Sequence, residues 1–559
     1  MALKGNGQLL IKIKQQAFGT LFAGVPPLSI PGYTLRPLCS PPQGIKAFAL
    51  SAAGSTVADH WSVAAPATAG MEHNPWDVAH QVARANGYSH YVEPDLLHER
   101  VAEADFPHPA EAPDKLIKGW LPTAADKVSP AWHLEDPFTG FESVRSIASG
   151  KGVRIAHLDT GYTPWHASTP LHLRNDLGHD YWSDKPDAIE PYTPDVFPLN
   201  PGHGTATLAL LAGAPLNLRF EDQTYEGPFG GAWEAEVVPV RIGPSVIHLY
   251  SSSMAAGLQH ALAPLGDARN RCAVVSISHG GLPSAAWAEK VNELYEAGVI
   301  IVAASGDSYN VGPLKVATRF TVYPSAFNRV LTAVGVTYGQ TPYITHDQLL
   351  MQGCWGPDAV MEKAVAAYTP NVAWMSNKNK DNPSGFTMDG GGTSASTPQV
   401  AAACALWVQL YGGDISNDWR RVEACRLALF ASTRQRGVNR SQLGWGTLNV
   451  PSFLNPDLAR KVIADVSSPD FKKSADDSVS HPFWRLLFGA APPDSEEERM
   501  YETEVAQILH QSRNNELVRV AVEAAGPQSN LKFSPAEQQK YRTMLLGESM
   551  SFALRQRLR

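Results

Sequence analysis

Asp389-Gly390-Gly391-Gly392-Thr393-Ser394-Ala395-Ser396-Thr397-Pro398-Gln399-Val400 joins a glycine run to a serine-rich helix opening. Its glycine run lets the backbone approach a ligand without hindrance from a Cβ. It leads into Thr-Ser and then into an alanine-rich run, residues 400–410, that reads as a buried helix. Ser394 is therefore expected at or near a helix N-terminus, where unpaired N–H groups and the helix dipole favour negative charge. A hydroxyl there suits attack on a carbonyl, because the developing oxyanion finds donors beside it. A glycine-rich loop with a serine N-cap has the same local appearance. Two motifs upstream separate the readings.

Residues 153–158 form a short apolar strand that ends in Asp159-Thr160-Gly161. Functional groups gather at the carboxyl ends of strands in open α/β sheets, although a carboxylate there can also cap a turn. Gly202-His203-Gly204-Thr205 then opens an apolar helix that closes at Gly213. Histidine suits proton transfer near neutral pH, and a histidine at a helix start can equally be structural. Further strands are expected at 236–242, 272–277, 299–303 and 330–336, with helices at 251–263 and 286–297 between them. Such alternation argues a mostly parallel sheet covered on both faces.

Asp-Thr-Gly after a strand, His-Gly-Thr opening a helix, and Gly-Thr-Ser-x-Ser-x-Pro opening another, in the order Asp, His, Ser, resemble the subtilisin-like serine proteases, the subtilases. That order is the one known for subtilisin. Ser276-Ile277-Ser278-His279-Gly280-Gly281 is similar to the family's substrate-binding strand, Tyr323-Pro324 to its cis X-Pro, 367–372 to the segment before the serine loop, and 444–450 to its closing motif. The resemblance covers about residues 130–455. It implies a three-layer α/β sandwich and a catalytic triad of Asp159, His203 and Ser394. It also implies an oxyanion site at the Ser394 N–H and residue 307, and substrate contacts from Ser278, His279, Gly280, Ala304, Ser305 and Gly306. A peptide is expected to pair as a strand with 278–280 and with a second edge near Val246. His279 is expected either to contact that peptide or to face solvent.

One position departs from the family pattern. After Ala304-Ser305-Gly306 the family usually has an Asn that donates to the oxyanion, and this chain has Asp307. An ionised carboxylate only accepts hydrogen bonds, and loss of such a donor costs on the order of 10²–10³ in rate. Either Asp307 is protonated in a dry site and donates, or the enzyme is slow and narrow, or the site only binds peptides. Ser305-Gly306-Asp307 and the serine motif are also similar to the sedolisins, acid peptidases with a Glu where this chain has His203.

The 559 residues carry a formal net charge of −8, which offers no basic field for nucleic acid or anionic membrane. Lysines interrupt the apolar residues of 1–29, so no secretory signal is read and a cytoplasmic protein is expected. Five scattered cysteines fit reduced thiols better than a disulfide framework or metal site. Calcium is common in the family, but no ligand set is assignable.

The expected organisation is an α+β unit at 1–105 with strands at 8–14, 45–50 and 91–95 and a helix at 75–83. A linker at 106–129, the catalytic domain at 130–455, a second linker at 456–494 and a helical extension at 495–559 follow. The first unit weakly resembles the subtilase propeptide, which implies intramolecular inhibition; a permanently attached structural domain is the alternative. The extension carries two capping-box patterns, at Ser495 and Ser534, and apolar side chains Trp484, Leu486, Leu487 and Phe488 expected to dock it on the core. The function expected is peptide-bond hydrolysis in protein substrates. A catalytically idle peptide-binding scaffold and an acid sedolisin-like peptidase are the alternatives.

Overall fold

The structure, a computed structural model, describes residues 3–13, 30–39, 60–67, 74–99, 128–191, 201–246, 248–309, 321–344, 351–375, 381–479, 482–488, 495–512, 514–524 and 531–559. The expected strand at 45–50 and nearly all of the expected linker at 106–129 lie outside them.

Seven strands form the central sheet in the order Ala364–Tyr368, Leu331–Val336, Ile300–Ala304, Val274–Ile277, Arg154–Asp159, Glu236–Arg241 and His179–Asp180. Every neighbouring pair is parallel. Their near-continuous Val, Ile and Ala runs suit strands buried on both faces. Alternate residues feed two cores. Ile155, Val274, Ile300 and Val302 face the helices His203–Ala212 and Gly392–Tyr411. Ala156, Val275, Ile301 and Ala303 face the helices Ser251–Leu262 and Ala285–Glu296. The result is helix, sheet, helix, with Asp159 at the carboxyl end of the strand that lies between Val274–Ile277 and Glu236–Arg241.

The N-terminal unit is an antiparallel sheet in the order Tyr91–Glu99, Gly5–Ile13, His60–Pro66 and Tyr33–Pro37, with the helix Pro75–Ala85 packed on it. Its edge strand continues the sheet into the catalytic domain. Leu97, His98 and Glu99 pair antiparallel with Tyr250, Leu249 and His248. The same strand carries two buried carboxylates that end on helix N-termini. Glu93 accepts from the Ser284 hydroxyl at 2.7 Å and from the Ala285 and Ala286 amides at 3.0 and 3.1 Å. Asp95 accepts from the Ser252 amide and hydroxyl, both at 2.8 Å. Carboxylates in these positions satisfy amides that a helix leaves unpaired and complement its dipole.

Residues 456–494, expected to be a linker, contain the helix Pro456–Ser467, packed on Trp419–Ser432, and the helix Pro482–Phe488. Pro456 is the first residue of its helix, behind an Asn455 cap. Proline is favoured there because the missing N–H would have had no partner. At the C-terminus, Trp484, Leu487, Val505, Leu509, Leu545 and Leu554 form a third core. Ser534 and Glu537 make the full capping box, whereas Ser495 accepts only from the Glu498 amide. All five cysteines are free thiols, four of them buried. Among the described residues no helix is long and apolar enough to cross a membrane.

Candidate active site

Glycine contacts bring the first two site residues together. Gly202 has φ 87° and starts the helix His203–Ala212. A Cβ on Gly204 would stand 2.0 Å from the Gly161 carbonyl oxygen, so only glycine lets the helix start abut the end of the Asp159 strand. The Gly204 amide donates to Thr160 Oγ1 at 3.0 Å and locks the approach.

Across that contact His203 Nδ1 lies 2.7 Å from Asp159 Oδ1. Asp159 is fully buried and its other contacts are also donors. The Thr160 amide reaches Oδ1 at 2.7 Å, and the Thr207 hydroxyl, one turn along the His203 helix, reaches Oδ2 at 3.0 Å. His157 Nε2 is 2.9 Å from that hydroxyl. Burial works to raise the Asp159 carboxyl, but the imidazoles of His203, His279 and His157, with the His203 hydrogen bond, outweigh it and hold it well below the usual carboxylate range. Burial itself pushes His157 and His279 down to about 4.

Ser394 is the third residue of the helix Gly392–Tyr411 and is half-buried. Two hydrogen bonds tie it to Ser278: its hydroxyl donates to the Ser278 carbonyl at 3.3 Å, and the Ser278 hydroxyl donates to the Ser394 carbonyl at 3.1 Å. The next residue, His279, has its Nδ1 3.9 Å from Asp159 Oδ1 and its ring centroid 5.7 Å from that of His203. The three residues expected to act together therefore share one neighbourhood. Catalytic hydrogen bonds are often loose without substrate, and here the serine hydroxyl points to Ser278.

Asp307 stands at the N-terminus of the serine helix. Its carboxylate accepts from the Thr393 amide at 2.9 Å and the Thr393 hydroxyl at 3.1 Å. Ala304 and Ser305 are buried. The carbonyls of Ser305 and Gly306 accept from the Val322 and Cys354 amides. Gly280 has no room for a side chain, since a Cβ would meet Val322 Cγ2 at 2.1 Å.

His279 corrects an expectation. Its side chain is 0% exposed, so it faces neither solvent nor an open groove. The ring is wedged between Asp159 and the Ser245 carbonyl, 3.3 Å from its Nε2. Three neighbours escaped the sequence reading. Trp374 covers the His203 ring edge-on at 5.5 Å. Thr207 supports Asp159, and its spacing of four residues from His203 was the signal. Glu190 accepts from the Gly202 amide, with both oxygens at 3.1 Å, and nothing in its local sequence marks it.

Near Val246, where a second edge for a peptide is expected, the strand His248–Tyr250 pairs with the N-terminal unit. His98 also reaches the end of the 278–281 segment, and its Nδ1 accepts from the next amide, that of Leu282, at 3.0 Å.

Comparison with known proteins settles the family. The family description "Subtilase family" matches residues 150–446, more than half of the chain. The chain belongs to the subtilases. Its fold is the α/β fold of that family, and membership supports a peptidase function on peptide or protein substrates. A solved structure, the prenylagaramide maturation protease PagA, is similar at 16% identity with a TM-score of 0.41, over 58% of this chain and 99% of that one. No curated protein sequence matches.

The cluster of Asp159, His203 and His279 does not suit calcium. Among the described residues the one group of three His, Cys, Asp or Glu side chains able to converge on an ion is Asp159, His203 and His279. Imidazole nitrogens are not calcium ligands.

Proposed function

We propose that this subtilase is a serine endopeptidase acting through Asp159, His203 and Ser394 and an acyl-enzyme. The observation that carries the reading is the buried 2.7 Å contact of His203 with Asp159, next to a serine at a helix N-terminus. Asp159 accepts Nδ1–H, which fixes the tautomer and leaves Nε2 as the base. The Ser394 hydroxyl turns from the Ser278 carbonyl to Nε2, loses its proton and attacks the peptide carbonyl. The Ser394 amide donates to the oxyanion. Asp307 supplies the second donor in its protonated form, released from Thr393. His203 then protonates the leaving amine, and water repeats the sequence on the ester.

In this reading the N-terminal unit is an intramolecular inhibitor. The support is its strand, which holds the His248–Tyr250 edge that a substrate would need. Identical gel mobilities for the parent chain and Ser394→Ala would rule out self-processing between the two units.

A fluorophosphonate probe tests the chemistry, because only an activated serine reacts. Labelling at Ser394, absent in Ser394→Ala, is the expected result. An idle peptide-binding site is the second reading, favoured by the Asp307 carboxylate accepting from Thr393 and by the serine hydroxyl facing Ser278. No labelling of the intact chain or of a chain nicked between residues 100 and 127 would select it. The sedolisin-like reading needs a Glu in the place of His203, and retained activity in His203→Ala would revive it.

A further inference from the structure

We propose that the C-terminal helical unit is a clasp for the N-terminal unit: the helix Glu496–Gln511 and the segment starting at Ser551 keep that unit on the catalytic domain even after the chain between the two is cut. Retention itself does not depend on the catalytic reading. Its consequence, a cleft that stays closed after cleavage, rests on the N-terminal unit being an inhibitor.

Three buried side chains on one face of Glu496–Gln511 make the contact. Gln507 uses both ends of its amide: Oε1 accepts from Trp76 Nε1 of the N-terminal unit, and Nε2 donates to the Pro283 carbonyl of the catalytic domain, each at 2.8 Å. One residue thus touches all three units. Glu504 is completely buried and accepts from His80 Nε2 at 3.2 Å, the Ser551 amide at 2.6 Å and the Ser551 hydroxyl at 2.8 Å. A buried carboxylate is tolerated only with such a full set of donors. Thr503 Oγ1 lies 2.8 Å from the Tyr91 hydroxyl, which lies 3.3 Å from Glu93. Glu93 ends on the N-terminus of the catalytic helix Ala285–Glu296. The clasp and the inhibitory strand therefore share one polar line.

Apolar packing follows the same map. Met500 and Ala506 leave the C-terminal core and join the core made by the N-terminal sheet and the two catalytic helices beneath it. Trp76 is 0% exposed under this cover, although its own unit is only a small sheet with one helix. Taking the C-terminal unit away would expose the Trp76 and Tyr91 rings and part Glu504 from His80. A unit held only by its own strand has no such dependence.

The test uses the full chain carrying Ser394→Ala, with a recognition sequence for a site-specific protease placed between residues 106 and 127. After the cut, release of the N-terminal fragment is followed by gel filtration and by subunit exchange with labelled fragment. The fragment is expected to co-elute. Release should be at least about tenfold faster in Gln507→Ala/Glu504→Ala, since several buried polar contacts, each of modest net value, are lost together. Trp76→Phe and His80→Leu approach the same contacts from the other side and guard against a misfolded C-terminal unit; their release should also quicken. Immediate loss of the fragment from the parent, or equal release rates in all four chains, overturns the proposal. A retained fragment with fluorophosphonate labelling of the cut Ser394 chain would keep the clasp and remove the inhibitory reading.

Discussion

The two halves of the site are built to different standards. On the base side, Asp159 and His203 meet across a contact that only Gly204 permits, every oxygen of the carboxylate has a donor, and both side chains are nearly sealed from water. On the nucleophile side, Ser394 is half-buried and bonded to Ser278, and Asp307 is occupied with Thr393. The first half is ready before substrate arrives. The second has its hydrogen bonds to Ser278 and Thr393 to exchange before an oxyanion could be held. Under the proposed mechanism, the cost of the reaction therefore lies in the readiness of the serine and its oxyanion donors, not in the base.

The sharpest way to break the comparison is to remove the base. His203→Ala should lower kcat/KM on a peptide substrate by on the order of 10⁴ or more, as expected when one member of a cooperating triad is lost. Thermal stability should change far less. A small kinetic loss would mean that the better-built half is structural, and that the contrast between the halves says nothing about catalysis.

Next in size is Asp307→Asn. An amide donates whatever its environment, whereas a carboxyl donates only when protonated. The variant should gain over the parent as pH rises, by on the order of 10² at neutral pH, and should lose that advantage toward acid pH. Comparing pH–rate profiles checks it. A constant ratio across pH would show that protonation of Asp307 is not what limits the nucleophile half. Matching profiles would remove the acid from the mechanism.

These two halves were also unequally legible in the chain. The strand ending in Asp159 and the helices opening at His203 and Ser394 carry their own signals: apolar runs of the right length, punctuated by glycine. Parallel strands with Val, Ile and Ala on both faces leave little doubt about the layers. What escaped were contacts between segments remote in sequence. His279 looked like an edge residue because the 278–281 segment is an edge, yet its ring turns inward toward Asp159, 120 positions away. Glu190 and Trp374 sit in stretches with no periodicity, and only folding brings them to His203. The helix Pro456–Ser467 lay inside a stretch expected to be a linker, although a proline at the first helical position behind Asn455 marks its start.

Glu190 gives the smallest and most selective test, because it is the one costly member of the base half. Burial raises its carboxyl to about 7; the Gly202 amide opposes the rise, the Asp159 charge adds to it, and Arg241 and His203 oppose it. The folded chain therefore prefers this group protonated. Its contribution to stability is complete below the unfolded value near 4.5 and is lost as pH rises through about 7. Such a displacement corresponds to roughly 3–4 kcal/mol at most, at about 1.4 kcal/mol for each pKa unit. Glu190→Gln keeps an acceptor for the Gly202 amide and carries no charge. The melting temperatures of variant and parent should therefore coincide near pH 4, and the variant should melt a few degrees higher at pH 8. Glu190→Ala, which leaves the Gly202 amide without its acceptor, should instead lower activity at every pH. If Glu190→Gln melts lower than the parent at pH 8, the carboxylate is stabilised in place by Arg241 and His203, and the base half then has no weak member at all.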